Sequence, residues 1–195
     1  MIDGEDHIDL NQNLDTKIAY FKRELVKDVK NVFPINFSIP QKKIVTNINL
    51  NTKNLLAPLI PHRYKTYIYK NQSDYYKMWQ NSIIGISYVW GGWWDALRYY
   101  EMLMNGCVPL IQNLENCPKN SLYFLPKEDL LETNKNYSWI LSQYNPFKIY
   151  KKKFLNIKKF SLFLSTSFKK KYSAEEFIQN FPEINILRNR LLEYT

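Results

Sequence analysis

The chain contains little glycine and cysteine and no long apolar run, and each shortage excludes a class of protein. Five glycines among 195 residues exclude collagen-like and glycine-rich repetitive chains, and two cysteines, Cys107 and Cys117, cannot form a disulfide framework. No apolar stretch reaches the roughly 18 residues that a transmembrane helix needs. Acidic residues at the amino terminus (Asp3, Glu5 and Asp6) argue against a signal peptide, which begins with basic residues. We therefore expect reduced thiols and a cytoplasmic location.

Aromatic residues, in contrast, are abundant. The chain contains 15 Tyr, 11 Phe and 5 Trp, which supply enough apolar surface for a buried core and exclude wholesale disorder. A length of 195 residues fits one large domain or two small ones.

The net charge of +9 belongs to one segment of the chain. Between residues 133 and 174 the sequence has ten Lys and no acidic residue, whereas the rest has 17 basic and 18 acidic groups. A nucleic-acid-binding surface would spread basic residues over one face, and it would favour arginine, of which the chain has only five. We therefore expect no nucleic-acid partner.

The first part of the chain predicts two helices and three strands. Asp15 is positioned to cap a helix over residues 16–30, and a second helix, capped by Ser73 or Asp74, is expected to reach Trp79. The apolar residues of the first helix recur at helical spacing, at Ile18, Phe21, Leu25 and Val29. Short β-rich runs predict strands at 32–35, 44–50 and 64–69.

The middle of the chain predicts a strand–helix–strand unit. The apolar runs 83–88 and 107–111 suit strands that are buried on both faces. Between them, a turn that contains Gly91 and Gly92 leads to Asp95, which occupies the position of a helix N-cap. The unit predicts an α/β fold, in which helices flank a Rossmann-like parallel sheet. Ligands of such sheets bind at the carboxyl ends of the strands, which places the site at the glycine turn and the first turn of the helix.

The last part of the chain predicts a short strand over 122–125, which Pro126 ends, and a long amphipathic helix after it. The apolar residues of that helix follow spacings of three and four, at Phe147, Tyr150, Phe154, Ile157, Phe160, Leu164 and Phe168. Lysines occupy its other face, so the helix could lie on an anionic membrane surface or pack onto the domain as a closing helix. The sequence leaves both alternatives open.

Several features follow one another in residues 75–111: a Tyr-rich stretch, a serine, a strand, a glycine loop, an Arg-x-x-Glu helix and a Gly-Cys-x-Pro strand. The residues at the fixed positions are Ser82, Gly91, Gly92, Arg98, Glu101, Gly106, Cys107 and Pro109. This order resembles the carboxyl-terminal, donor-binding domain of exostosin-like glycosyltransferases of the GT-B type. The segment YFKREL, residues 20–25, resembles the family's lead into that domain.

The resemblance implies one half of a GT-B fold and the transfer of a sugar from a nucleoside-diphosphate sugar to a glycan or another hydroxyl acceptor. It implies that Glu101 holds ribose or sugar hydroxyl groups and that Arg98 neutralises phosphate as the leaving group departs. Further substrate contacts are expected from Ser82, Gly91, Gly92, Trp93 and Asp95. No cofactor is expected besides the donor itself. The acceptor half of such a fold, with any general base that it supplies, is not expected in this chain.

We expect an N-terminal helix and lead-in segment (1–40), a Rossmann-like nucleotide-sugar-binding core (41–145) and carboxyl-terminal helices with the basic segment (146–195). Two other functions stay open: a non-catalytic nucleotide- or glycan-binding module, and a peripheral membrane or interaction protein that acts through the basic helix. Arg98 and Glu101 can also form an ordinary pair of charges three residues apart on a helix.

No metal site is expected. Asp3, Glu5 and Asp6 form a carboxylate cluster of the kind that Mg²⁺ prefers, but we interpret it as a solvated acidic terminus. The two histidines, His7 and His62, have no ligand partners at zinc spacing.

Overall fold

Two parallel sheets and six helices organise the residues that the computed structural model describes, which are 1–10, 17–48, 54–59, 66–89, 93–143 and 174–192. The first sheet contains β1 (Ile2–Asp3), β2 (Tyr20–Lys22) and β3 (Val32–Pro34), and the second contains β4 (Asn54–Leu56), β5 (Ser82–Tyr88) and β6 (Val108–Gln112). The helices are α1 (Gln72–Gln80), α2 (Leu97–Met104), α3 (Lys127–Asn136), α4 (Ser138–Gln143), α5 (Ala174–Asn180) and α6 (Glu183–Leu192). Neighbouring strands are parallel in both sheets, which confirms the predicted α/β class and is consistent with a Rossmann-like half-fold.

The predicted strand–helix–strand unit forms the centre of the second sheet. β5 pairs in parallel with β6, with Ile84 opposite Val108, and α2 lies in the connection between them. Gly85 of β5 has no room for a side chain, because a Cβ atom there would lie 2.8 Å from Sδ of Met102 and 2.9 Å from the ring of Trp79. The helices α1 and α2 therefore pack directly on the middle of this sheet.

The helix predicted over residues 16–30 is wrong, because Tyr20–Lys22 forms the central strand of the first sheet. Of the apolar residues that suggested a helix, Ile18 is 53% exposed and Val29 is 39% exposed, whereas Leu25 is buried. Their helical spacing therefore coincides with a strand and turns rather than with one packed face.

Three predicted strands, at 44–50, 64–69 and 122–125, are also wrong, as far as the structure describes these residues. Residues 44–48 bend past the end of α2, where the Val45 N–H donates to the Met104 carbonyl oxygen at 2.9 Å. Residues 66–69 are irregular, and residues 122–125 form turns. The strands that the sequence predicts at 32–35, 83–88 and 107–111 are confirmed, with shifted ends, as β3, β5 and β6.

The predicted helix caps are wrong for both α1 and α2. Asn71 caps α1, because its Oδ1 accepts the N–H of Asp74 at 2.8 Å, so neither Ser73 nor Asp74 has that role. Ala96 occupies the N-cap position of α2 and makes no side-chain hydrogen bond there. Asp95 therefore does not cap α2, although it immediately precedes the cap.

The helices α5 and α6 pack against the core. Arg188 is buried, and its Nε donates to the Gly106 carbonyl oxygen at 2.6 Å. Gly106 follows α2 with φ 68°, a left-handed conformation that glycine favours at helix ends. The rings of Phe177 and Phe181 lie 4.9 Å apart.

The expected N-terminal helix is missing from residues 17–40, which form strands, turns and irregular structure. The division of the chain at residues 40 and 145 stays a prediction. The basic amphipathic helix predicted over 147–168 lies outside the described residues, so its contact with a membrane or with the core also stays a prediction. Within the described ranges, no helix has the length and apolar character that crossing a membrane requires.

Candidate functional site

Arg23, which follows β2, connects the carboxyl edges of the two sheets. Its Nη1 donates to the Asp95 carbonyl oxygen at 2.6 Å, and its Nε and Nη2 donate to the Gly4 carbonyl oxygen at 3.0 and 2.8 Å. The guanidinium also pairs with Asp6 and lies 4.4 Å from the centre of the Phe37 ring. Because Gly4 follows β1, Phe37 follows β3 and Asp95 precedes α2, one buried arginine joins loops from both sheets.

Asp95 is buried at the same junction and uses its backbone and both carboxylate oxygens. Its N–H donates to Oε1 of Glu24 at 2.7 Å, and its Oδ1 and Oδ2 accept from the Tyr100 hydroxyl at 2.7 Å and the Phe37 N–H at 3.3 Å. Burial raises the pKa of Asp95 and of Glu24, against the hydrogen bonds that each accepts. Asp95 therefore fixes the loop before α2 to the first sheet, and its contact with substrate stays a prediction.

Arg98 and Glu101 lie on a face of α2 that is directed towards α1. Oε2 of Glu101 accepts the Tyr75 hydroxyl at 2.8 Å, and Nη2 of Arg98 donates to the Tyr67 hydroxyl at 2.7 Å. Burial raises the pKa of Glu101, while the Tyr75 hydroxyl and the positive charges of Arg98 and Lys43 act in the opposite direction. Each of the two side chains thus has a tyrosine hydroxyl as a hydrogen-bond partner.

Aromatic rings surround Tyr75, the partner of the Glu101 carboxylate. The Tyr75 ring centre lies 6.3 Å from Tyr69, 5.6 Å from Tyr76 and 5.7 Å from Trp79. We refer to one set of side chains as the tyrosine site: Tyr67, Tyr69, Tyr75, Tyr76, Arg98 and Glu101. Aromatic faces beside a half-buried carboxylate and a guanidinium suit a ligand with rings, hydroxyl groups and negative charge.

Of the other predicted site residues, Ser82 and Trp93 are described by the structure and lie outside the tyrosine site. Ser82 begins β5 at its amino end, and its buried hydroxyl donates to the Met78 carbonyl oxygen at 2.8 Å. The Trp93 side chain is 50% exposed in the loop before α2. Gly91 and Gly92 lie outside the described residues, so their approach to phosphate stays a prediction.

A cavity of about 420 Å³ opens at the carboxyl end of β1, where Asp3, His7 and Tyr20 are among its lining residues. Lys22 has no exposed side-chain surface, donates to Oδ2 of Asp3 at 3.0 Å and lies 3.5 Å from Nδ1 of His7. Burial acts to raise the pKa of Asp3, but hydrogen bonds from Tyr20 and Lys22 outweigh it, so this pKa is lowered. The cavity therefore has a fixed carboxylate in its wall.

The interpretation of the acidic terminus as solvated is wrong for Asp3, because its side chain is only 12% exposed and is paired with Lys22. It holds for Asp6, which is 59% exposed even though it pairs with Arg23. Among the residues that the structure describes, no group of three or more His, Cys, Asp or Glu side chains is arranged to hold a metal ion.

Sequence reasoning missed the roles of Arg23, Glu24, Tyr67 and Tyr75. The signal that Arg23 and Glu24 offer is a run of three charged residues, 22–24, directly after two aromatic residues. The helical spacing of the apolar residues around this run favours a helix, so the sequence does not show that a strand ends there. No local pattern marks Tyr67 as the partner of Arg98, because the contact joins residues 31 positions apart.

Comparison with known proteins gives no match, whether with protein-family models, with curated proteins or with solved structures. The proposal of a function therefore depends on the residues of the site and on the resemblance in residues 75–111.

Proposed function

We propose that this chain is the donor-binding domain of a glycosyltransferase, which transfers a sugar from a nucleoside-diphosphate sugar to an acceptor hydroxyl. The observation that carries the proposal is the position of Glu101, which the Tyr75 hydroxyl holds half-buried, one helical turn from Arg98. The resemblance of residues 75–111 to exostosin-like glycosyltransferases supports the same function.

Glu101 suits the hydroxyl groups of a ribose or of the transferred sugar. A carboxylate can accept a hydrogen bond from a hydroxyl group on each of its oxygens. The hydrogen bond from Tyr75 already orients the carboxylate of Glu101. Because burial raises the pKa of Glu101, hydroxyl donors that arrive with a ligand stabilise an anion that has lost part of its water. Hydroxyl groups of a ligand therefore add to the hydrogen bond that Tyr75 donates to this carboxylate.

Arg98 suits the diphosphate. In the proposed reaction, the bond between the anomeric carbon and the diphosphate oxygen breaks, and a bond to the acceptor oxygen forms while the acceptor proton passes to a base. Negative charge develops on the departing phosphate, where a positioned guanidinium lowers the barrier. Holding the donor in one orientation supplies the rest of the contribution that this domain makes. No cofactor besides the donor enters the proposal.

The alternative is a nucleotide- or glycan-binding module without catalysis, which would use the same tyrosine site. A second alternative is a protein that acts at an anionic membrane surface through the lysine-rich segment. The proposal places the protein in the cytoplasm, where nucleoside-diphosphate sugars are accessible. In the second alternative, the cytoplasm also gives access to the inner face of a membrane.

Calorimetric titration with UDP- and GDP-sugars, which are nucleoside-diphosphate donors, tests the proposal. We expect one of these donors to bind, and we expect Glu101→Ala to weaken its binding by about 1–3 kcal/mol because charge-assisted hydrogen bonds are lost. That loss is roughly 5- to 150-fold in Kd. Glu175→Ala is the matched control, because Glu175 is exposed in the first turn of α5.

Failure of both classes of donor to bind would contradict the proposal, as would unchanged affinity in a folded Glu101→Ala variant. If a donor binds but its sugar is transferred neither to a hydroxyl acceptor nor to water, the non-catalytic module becomes the better description.

A further inference from the structure

The loop after β6 exposes two adjacent aromatic side chains, Tyr123 and Phe124. Tyr123 is 49% exposed and Phe124 is 61% exposed, and their ring centres lie 5.1 Å apart with the ring planes at 86°. Single exposed apolar residues are common on protein surfaces and need no explanation. Two exposed rings in contact with each other do need an explanation when the backbone holds both in place.

The backbone before the pair is strained. Leu122 has φ 54°, in the left-handed region that a bulky residue adopts only against steric repulsion. Its side chain is fully buried, while the next two side chains are directed to solvent. Strain of this kind persists only where the surrounding structure enforces it, and it is frequent at ligand-binding sites.

Polar contacts fix the part of the loop that precedes Leu122. Nζ of Lys127 donates to the Ser121 carbonyl oxygen at 2.8 Å and also to two other carbonyl oxygens of the loop. The Ser121 hydroxyl donates to the Leu25 carbonyl oxygen at 3.4 Å, and Nδ2 of Asn120 donates to Oδ1 of Asp28 at 2.7 Å. The exposed rings therefore stand on a preformed support, and binding would require little ordering of the loop.

The pair lies beside the junction of the two sheets. The Phe124 N–H donates to Oδ1 of Asn36 at 3.0 Å, and the adjacent Phe37 N–H donates to Oδ2 of Asp95 at 3.3 Å. Residues 36 and 37 follow β3, and the loop that carries the pair follows β6. Both therefore belong to the carboxyl edges of the parallel strands, where ligands of α/β sheets bind.

We propose that Tyr123 and Phe124 form a stacking platform for the pyranose rings of a carbohydrate chain. One face of a pyranose carries C–H groups that pack on an aromatic ring, while the hydroxyl groups at its rim stay in water. Tyr123 adds a hydroxyl group to the platform, which gives it a polar edge. That the bound glycan is the acceptor of the transfer depends on the proposed function, whereas the binding of a glycan does not.

The size of the exposed pair favours a glycan over a protein partner. A stable protein–protein contact covers about 800 Å² on each partner and around 20 residues, far more than two rings present. A sugar chain, in contrast, needs one or two rings per site, and its remaining contacts are with water. The platform therefore fits a ligand that is narrow, apolar on one face and polar at its rim.

Titration with cellohexaose, maltohexaose and chitohexaose, followed by calorimetry and by protein NMR, tests the platform. We expect at least one of these oligosaccharides to bind the wild-type chain and the double variant Tyr123→Ala, Phe124→Ala to weaken its Kd at least about tenfold. Ile186→Ala is the control, because Ile186 is an exposed apolar residue (70%) on α6, outside the loop that carries the pair. Thermal unfolding establishes that the variants are folded.

The inference is overturned if none of the three oligosaccharides binds at roughly 10 mM, a concentration that detects even weak stacking. It is also overturned if the folded double variant binds as tightly as the wild type, or if its only change is the loss of a dimer in sedimentation. Nucleotide-sugar binding is measured in the same samples. Oligosaccharide binding without donor binding would leave the platform in place and remove the proposed function, and the reverse result would do the opposite.

Discussion

The charged side chain of Lys22 is buried without solvent contact, and the carboxylate of Asp3 forms an ion pair with it. The Lys22 side chain has no exposed surface, the Asp3 side chain is 12% exposed, and their Nζ and Oδ2 atoms lie 3.0 Å apart. A buried ion pair adds little net stability, but removal of one partner leaves a buried charge without compensation. The pair therefore matters for stability mainly through what its loss would leave behind.

We expect Asp3→Asn to lower the free energy of unfolding at pH 7 by roughly 3 kcal/mol, because the buried ammonium of Lys22 loses its partner. The pKa of Asp3 is lowered in the folded protein, so its contribution is present above its ordinary value of 3.8 and is lost as the pH falls through the folded pKa. The difference between variant and wild type should therefore shrink in acid. Urea denaturation at pH 7 and near pH 2 measures it, and Asp9→Asn, at an exposed carboxylate, is the control. The same difference at both pH values would show that the charge of Asp3 is not what stabilises the pair.

At the scale of elements, β5, α2 and β6 could be predicted because each has a strong local signal. Both strands are continuous apolar runs, and in the helix the buried residues Tyr100, Leu103 and Met104 recur on the side that faces the core. Gly106 then ends the helix with the positive φ that its position requires. Local composition and the final packing agree in this unit, so the sequence pattern is sufficient to predict its two strands and its helix.

Only β3 of the first sheet could be predicted, because the strands of this sheet have two or three residues each and their stability comes from distant partners. Arg23, for example, contacts Asp95 across 72 positions of the chain. The helical spacing of Ile18, Leu25 and Val29 is a local signal that tertiary pairing overrides. The candidate site divides in the same way: the resemblance in residues 75–111 predicts Arg98 and Glu101, whereas their tyrosine partners are visible only in the fold.

Two arginines on α6 illustrate how burial decides the effect of a substitution. Arg188 is buried and donates to the Gly106 carbonyl oxygen at 2.6 Å, whereas Arg190 is 49% exposed and pairs with Asp129 at 2.7 Å. We expect Arg188→Met to lower the free energy of unfolding by about 1–3 kcal/mol, because it leaves a buried carbonyl group without a donor. Arg190→Met, the matched control, should cost less than about 1 kcal/mol. Chemical denaturation measures both, and equal effects would argue that α6 is not anchored through the carbonyl group of Gly106.

At the scale of the whole molecule, the two sheets are joined by polar contacts more than by a shared apolar core. Tyr20, Leu25 and Val32 of the first sheet and its adjoining turn form a small buried cluster of their own, separate from the large cluster around β5 and β6. The guanidinium of Arg23 and the carboxylate of Asp95 bridge the gap between these clusters. The cavity beside β1 and the loop before α2 therefore keep their relative position through a few buried hydrogen bonds.

Arg23→Met tests whether this junction is what couples the two sheets. The substitution preserves most of the apolar stem but removes the donors to the carbonyl oxygens of Gly4 and Asp95. Loss of a buried, hydrogen-bonded charge costs roughly 3 kcal/mol, so we expect amide hydrogen exchange in the first sheet to accelerate about 100-fold. The amides of β5 and β6 should keep their protection, because their apolar cluster does not depend on Arg23. Arg190→Met again serves as the control and should leave both sheets unchanged. If β6 loses protection to the same extent as β2, the two sheets unfold as one cooperative unit, and the junction is only one contact among many.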